Sequence, residues 1–200
     1  MTKTEPSSPG TVRPTPSHTV GPFYGYALPF LGGEDIAPLG HPDTITVHGY
    51  VLDGAGAPLP DALVELWGAD PDGNVPTTDG SIRRDPATGD PLGRNGVEFT
   101  GWGRIQTDAD GHWYARTLRP GARGGSAPYL SVCLFARGLL VHLFTRVYLP
   151  GDEAALAADP LLARVGARRD TLVAADEGRG TYRFDIRLQG EGETVFLEFQ

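Results

Sequence analysis

The 200-residue sequence holds a single cysteine, Cys133, and no block of five or six basic residues. One cysteine excludes a disulfide scaffold and a CxxC zinc site. Its place in the apolar run Leu130-Ser131-Val132-Cys133-Leu134-Phe135 reads as a small buried core position. The formal charge of −8 makes nucleic acid and anionic membrane poor partners. No run approaches the roughly 18–20 apolar residues of a membrane span. Met1 to Pro16 is polar and Pro-rich without the apolar centre of a signal peptide, so the cytoplasm is the default location.

The usual catalytic signatures are missing too. There is no Gly-x-Ser-x-Gly elbow and no GxxxxGK[ST] phosphate loop. The five histidines, His18, His41, His48, His112 and His142, are far apart. None forms the H-x-H or H-x-x-x-H spacing that sets two imidazoles on one side of a strand or helix. In strand-like surroundings His48, His112 and His142 read as hydrogen-bonded structural residues. Within this chain the residues name no catalytic group and no metal ligand set.

What is present is the raw material of a β-protein. Hydrophobic residues make up 40%, enough for a core, and 28 Gly with 18 Pro punctuate short apolar runs without a Gly-x-y period. Residues 1–16 read as a flexible arm and 17–200 as one domain. The arm leads into an aromatic stretch, Phe23-Tyr24-Gly25-Tyr26, whose exposed rings are expected to dock on something. Strands are predicted over Thr44–Leu52, Ala62–Trp67, Phe99–Thr107, His112–Leu118, Tyr129–Ala136, Leu139–Leu149, Tyr182–Leu188 and Thr194–Phe199. Three turn signals separate several of them: Asp53-Gly54-Ala55-Gly56, Asp70-Pro71-Asp72-Gly73 and Asp108-Ala109-Asp110-Gly111. Residues 74–98 read as a long loop of the kind that is usually functional or interfacial.

Arg137-Gly138 is expected to form a tight hairpin. Asp152–Val165 is the one helical stretch, with Asp152 as N-cap and Pro160 breaking or shortening it. Trp67, Trp102 and Trp113 fall in or near strands and read as core or interface residues. The fold expected is all-β, a β-sandwich of about eight strands with long loops and one short helix.

Four segments, in order and spacing, resemble one family. They are Thr15-Pro16-Ser17-His18-Thr19-Val20-Gly21-Pro22-Phe23; Asp61-Ala62-Leu63-Val64-Glu65-Leu66-Trp67 with Ala69-Asp70 and Gly73; Gly103-Arg104 with Thr107-Asp108 and Gly111; and Tyr182 to Phe196. Together they resemble the intradiol ring-cleavage dioxygenases from about residue 15 to the end. The last segment, with Leu134-Phe135-Ala136-Arg137-Gly138, is similar to the iron-free α type of subunit in the hetero-oligomeric members.

The resemblance implies O₂-dependent cleavage of protocatechuate, between its hydroxyl-bearing carbons, to 3-carboxy-cis,cis-muconate. It implies Fe(3+) in the assembled enzyme, held by two Tyr and two His of a β subunit, which is the expected partner. Catecholate chelation of the ferric ion activates the substrate toward O₂.

Position by position, the two His of the family's His-x-His pair match Tyr129 and Ser131, and one iron Tyr matches Arg123. The other iron Tyr falls in the 85–95 loop, and residues 69 to 101 contain no Tyr. Tyr129 alone supplies one phenolate, too few to hold iron. The share of the substrate pocket that the resemblance gives this chain is Thr19, Gly21, Pro22, Phe23 and Arg137. Family members commonly carry Tyr at Phe23, so a hydroxyl is missing there. Arg137 would favour the ring carboxylate of protocatechuate by charge. The aromatic arm and the 74–98 loop are then expected at subunit surfaces. Without the resemblance, the pattern also suits a stand-alone ligand-binding β-sandwich. An independent catechol dioxygenase would need ligands that this sequence lacks.

Overall fold

The structure, a computed structural model, describes residues 24–76, 82–94 and 96–199. The expected flexible arm, together with Thr19, Gly21, Pro22 and Phe23, lies outside the described residues.

Two sheets form around one core. In the first, β1 (Thr44–Leu52) pairs antiparallel with β6 (His112–Leu118) on one side. On its other side it pairs in parallel with β10 (Thr181–Arg183) and then β11 (Ile186–Arg187), while β9 (Ala175–Gly178) extends the sheet from β10. The second sheet runs β5 (Trp102–Gln106), β2 (Leu63–Gly68), β7 (Tyr129–Phe135) and β8 (Leu143–Tyr148), all antiparallel.

Strand alternation supplies the core. Ile45, Val47 and Val51 of β1 point inward with Trp113, Ala115 and Ile186, and meet Val64, Leu66, Leu130, Val132, Leu134 and Val147 of the opposite sheet. Period-two patterns on two facing sheets make a sandwich because each sheet has one apolar face to bury. Cys133 is buried, and Trp113 is a core residue with 1% exposure.

Three turns repeat one device. Asp53 Oδ1 accepts from the N–H groups of Ala55 and Ala57, Asp70 Oδ1 from Asp72 and Asn74, and Asp108 Oδ1 from Asp110 and His112. Each turn closes on a glycine at positive φ: Gly56, Gly73 and Gly111. The carboxylate supplies the turn's missing acceptor and the glycine its left-handed residue.

The 74–98 stretch is not wholly loop. It carries a small hairpin, β3 (Ile82–Arg84) with β4 (Pro91–Arg94). Asp85 caps this hairpin's turn by accepting from Ala87 and Thr88 N–H, which lowers its carboxyl pKa. The expected strand Tyr182–Leu188 is split, because Phe184 and Asp185 arch over Gly49. A Cβ on Gly49 would lie 1.8 Å from the Phe184 carbonyl oxygen. Thr194–Phe199 makes an isolated bridge between Leu197 and Phe144, not a ladder.

The helical stretch breaks at Pro160 into α2 (Glu153–Ala158) and α3 (Pro160–Val165), followed by a 3-10 turn over Gly166–Leu172. Here α1 denotes the short helix Tyr24–Ala27. Asp152 caps α2, and the fully buried Asp159 caps α3 while accepting from Ala127 N–H and the Tyr148 hydroxyl. Among the described residues no helix is long and apolar enough to cross a membrane.

Candidate functional site

Two places on the sandwich gather the residues singled out by sequence. The first is the β7–β8 corner. The turn is wider than the tight hairpin expected, since residues 136–142 separate the strands. Its Arg137 has a side chain 77% exposed and forms an ion pair with Asp61, at the entry to β2. Asp61 sits in the left-handed region at φ 67°. Its other neighbour is α1: a Cβ on Gly25 would lie 3.6 Å from Asp61 Cβ and 3.7 Å from Asp61 O. Arg137 thus reaches, through Asp61, the neighbourhood of α1. Arg104 anchors the same region, donating to the Leu28 carbonyl and pairing with Glu65 at 2.6 Å.

An aromatic patch lies on the same turn. His142 packs edge-on to Phe144, with ring centroids 4.6 Å apart, and also near Phe135. Its role is ring packing and not the hydrogen bond expected of it. Leu140 and Val141 beside it are exposed. His48 and His112, distant in sequence, are joined directly: His48 Nδ1 lies 3.2 Å from His112 Nε2 and His48 Nε2 lies 2.9 Å from Glu177. Cross-strand pairing of β1 with β6 produces this contact, which spacing along the chain cannot display.

The second place is a pocket of about 160 Å³ on the outer face of the second sheet. Arg123, Tyr129 and Ser131 all line it, with Trp67, Thr100 and the backbone of Gly68, Gly101 and Gly121. The convergence follows from strand geometry. Tyr129 and Ser131 are two apart on β7 and share a face, while Trp67 on β2 stands opposite Ser131. Arg123 comes from the loop after β6, which is pinned by Gly121 N–H donating to the Asp70 carbonyl. Arg146 lies over the Tyr129 ring, 3.9 Å from its centroid.

Three of the four positions that the resemblance matches to iron ligands meet here, and the donor set of the described residues does not fit ferric iron. The pocket offers one phenol, two hydroxyls and a guanidinium; it has no imidazole, carboxylate or thiolate. A fixed cation at one ligand position repels a trivalent ion. Among the described residues no group of three or more His, Cys, Asp or Glu could hold a metal.

Sequence reasoning missed Asp61 as a site residue, although it had quoted it within a motif. A carboxylate beside a predicted strand gives no hint of an arginine 76 residues away.

Comparison with known proteins places this arrangement. The family profile described as Dioxygenase matches residues 31–129. The chain is 40% identical to the protocatechuate 3,4-dioxygenase alpha chain of Burkholderia cepacia, over 94% of this chain and 98% of that one. It is 33% identical to the beta chain from the same organism, over 83% of this chain and 78% of that one. The dioxygenase domain of a carbohydrate-binding fusion protein from Streptomyces sp. SirexAA-E superposes with a TM-score of 0.54 at 25% identity, covering 89% of this chain and 99% of that domain.

Proposed function

The chain belongs to the intradiol ring-cleavage dioxygenases, and from that premise we propose that it is the iron-free alpha chain of a protocatechuate 3,4-dioxygenase, completing a substrate pocket whose metal is held by a beta chain. One observation carries the proposal. Three of the four positions that the resemblance matches to the family's iron ligands come together in one pocket, and they present Arg123, Tyr129 and Ser131. The fold is kept and the ligand set is not. Fe(3+) of the assembled enzyme is therefore assigned to the partner, with protocatechuate and O₂ as substrates.

Within this reading the chain contributes wall and charge. Arg137 provides the cation facing the ring carboxylate, held by Asp61. Thr19, Gly21, Pro22 and Phe23 are proposed to supply the rest of this chain's share of the pocket. An exposed pair is weak and exchangeable, so the Arg137 guanidinium can be shared between Asp61 and an incoming carboxylate. Charge-assisted bonds to a guanidinium suit such a ligand. The exposed Leu140 and Val141 on the same turn, with the aromatic patch behind them, suit contact with another subunit. The stand-alone binding module loses its support, because the similarity spans nearly the whole of an alpha chain.

Co-expression with a beta-type chain tests the proposal. The expected result is a stable complex containing iron that consumes O₂ with protocatechuate, whereas this chain alone does neither. Stoichiometric iron in the isolated chain, or indifference to a beta chain, overturns it.

A further inference from the structure

We propose that the pocket around Arg123 is a binding site in its own right, taking a small aromatic carboxylate in place of a metal. The lining of this pocket belongs to one chain, so the site is independent of the oligomer proposed above.

The charge is of one sign. Arg123 makes no ion pair among the described residues, and no lining residue is acidic. The nearby Asp70 carboxylate is already committed, accepting from Asp72 N–H, Asn74 N–H and the Asn74 side-chain amide. Arg146, one strand over, covers the Tyr129 ring but opens onto a separate groove with His142 and Phe144. Among the described residues, an anion entering here meets the Arg123 guanidinium and no lining carboxylate.

The shape suits a ring. The volume of about 160 Å³ is close to the roughly 150 Å³ of a cavity that admits one benzene. Trp67, 53% exposed, offers an indole face on one side, and Tyr129 borders the other. Hydroxyls of Tyr129 and Ser131 form no hydrogen bond to other described residues, whereas Thr100 is occupied by Arg94 and the Trp102 carbonyl. Ring stacking, one guanidinium and two uncommitted hydroxyls select a planar carboxylate over a bare anion or a neutral ring.

Benzoate is the probe, because it carries the ring and the carboxylate but no vicinal hydroxyls to bind iron. Equilibrium dialysis of the full chain, in the assembly in which it purifies, compares wild type with Arg123→Glu and with Ser131→Phe, which fills the pocket. Far-UV circular dichroism checks that both variants fold. The expected result is loss of one benzoate equivalent per chain in each variant. Benzyl alcohol and inorganic phosphate are each expected to bind at least tenfold more weakly than benzoate. Equal benzoate binding by wild type and Arg123→Glu overturns the proposal, and so does phosphate binding as tightly as benzoate. Because the readout is a difference on mutating this chain, absence of a beta chain leaves it interpretable.

Discussion

Arg137 is held by Asp61, a residue 76 positions earlier whose backbone takes a left-handed conformation beside Gly25. The pair joins the β7–β8 turn, the start of β2 and the end of the N-terminal segment at one point. A cation placed this way is oriented but not spent. It is most of the way exposed, so its pairing with Asp61 contributes little to stability.

The first prediction concerns that cation. In the assembled enzyme, Arg137→Ala should raise KM for protocatechuate about tenfold, or about 1.4 kcal/mol, with kcat within about twofold. Asp61→Asn should act in the opposite direction on KM by freeing Arg137. Steady-state oxygen uptake measures both. A fall in kcat at unchanged KM would instead place Arg137 in the chemical step.

A second concerns Asp159. It is fully buried and accepts four hydrogen bonds, from Ala127, Leu161 and Leu162 N–H and the Tyr148 hydroxyl. Asp159→Ala removes a helix cap and strands buried donors, for a loss of about 3 kcal/mol in urea unfolding. Asp159→Asn, which keeps an acceptor oxygen, should lose less.

Gly49 gives a third. Any Cβ there collides with the Phe184 carbonyl at the crossing of β1 with the β10–β11 connection. Gly49→Ala is expected to destabilise by about 3 kcal/mol or more, since backbone must move on both sides. Soluble yield and thermal midpoint report it. Ala tolerated within about 0.5 kcal/mol would mean that the arch is pliable.

The fourth is a dependence on pH. Burial pushes the Cys133 thiol up to about 12, with Glu65 adding to the rise and Arg104 opposing it. Burial likewise pushes the Tyr148 hydroxyl to about 12, against the pull of Arg146. In the folded chain both groups keep their protons after the unfolded chain has lost them. Their contribution to stability is complete below pH about 9 and falls as pH rises toward 12. Urea unfolding from pH 8 to 11 should show this decline, and Cys133→Ala should flatten its lower part. At pH 8 Cys133 should resist thiol reagents until the chain unfolds.

Much of the sandwich could be read from the sequence because alternation and turns were both strong. Thr44–Leu52 is a strand with the predicted ends, and the three Asp-x-x-Gly turns each use the carboxylate and the glycine as expected. Pro160 divides the helical stretch, with Asp159 supplying the second cap. The β3–β4 hairpin escaped notice because Ile82-Arg83-Arg84 and Pro91-Leu92-Gly93-Arg94 are short, polar and lack alternation. The interruption at Phe184 is set by Gly49 on another strand, which a local pattern does not contain. At the site, strand periodicity alone puts Tyr129 and Ser131 on one face. That Arg123 joins them, and that Asp61 meets Arg137, depends on loops closing over long sequence distances.

One guanidinium ties the β3–β4 hairpin to the segment before β1 and to the start of β5. Arg94 ends the hairpin that spans the fourth ligand position, and its side chain donates to the Gly32 and Trp102 carbonyls and to the Thr100 hydroxyl. Burial among these groups, beside the stacked Phe30 and Trp102 rings, lowers its pKa to about 10, against the pull of Asp35 and Glu34. Arg94 works as a cross-link made of ordinary side-chain chemistry. The hairpin is thereby anchored by groups that the chain itself supplies, with no metal needed as a tie.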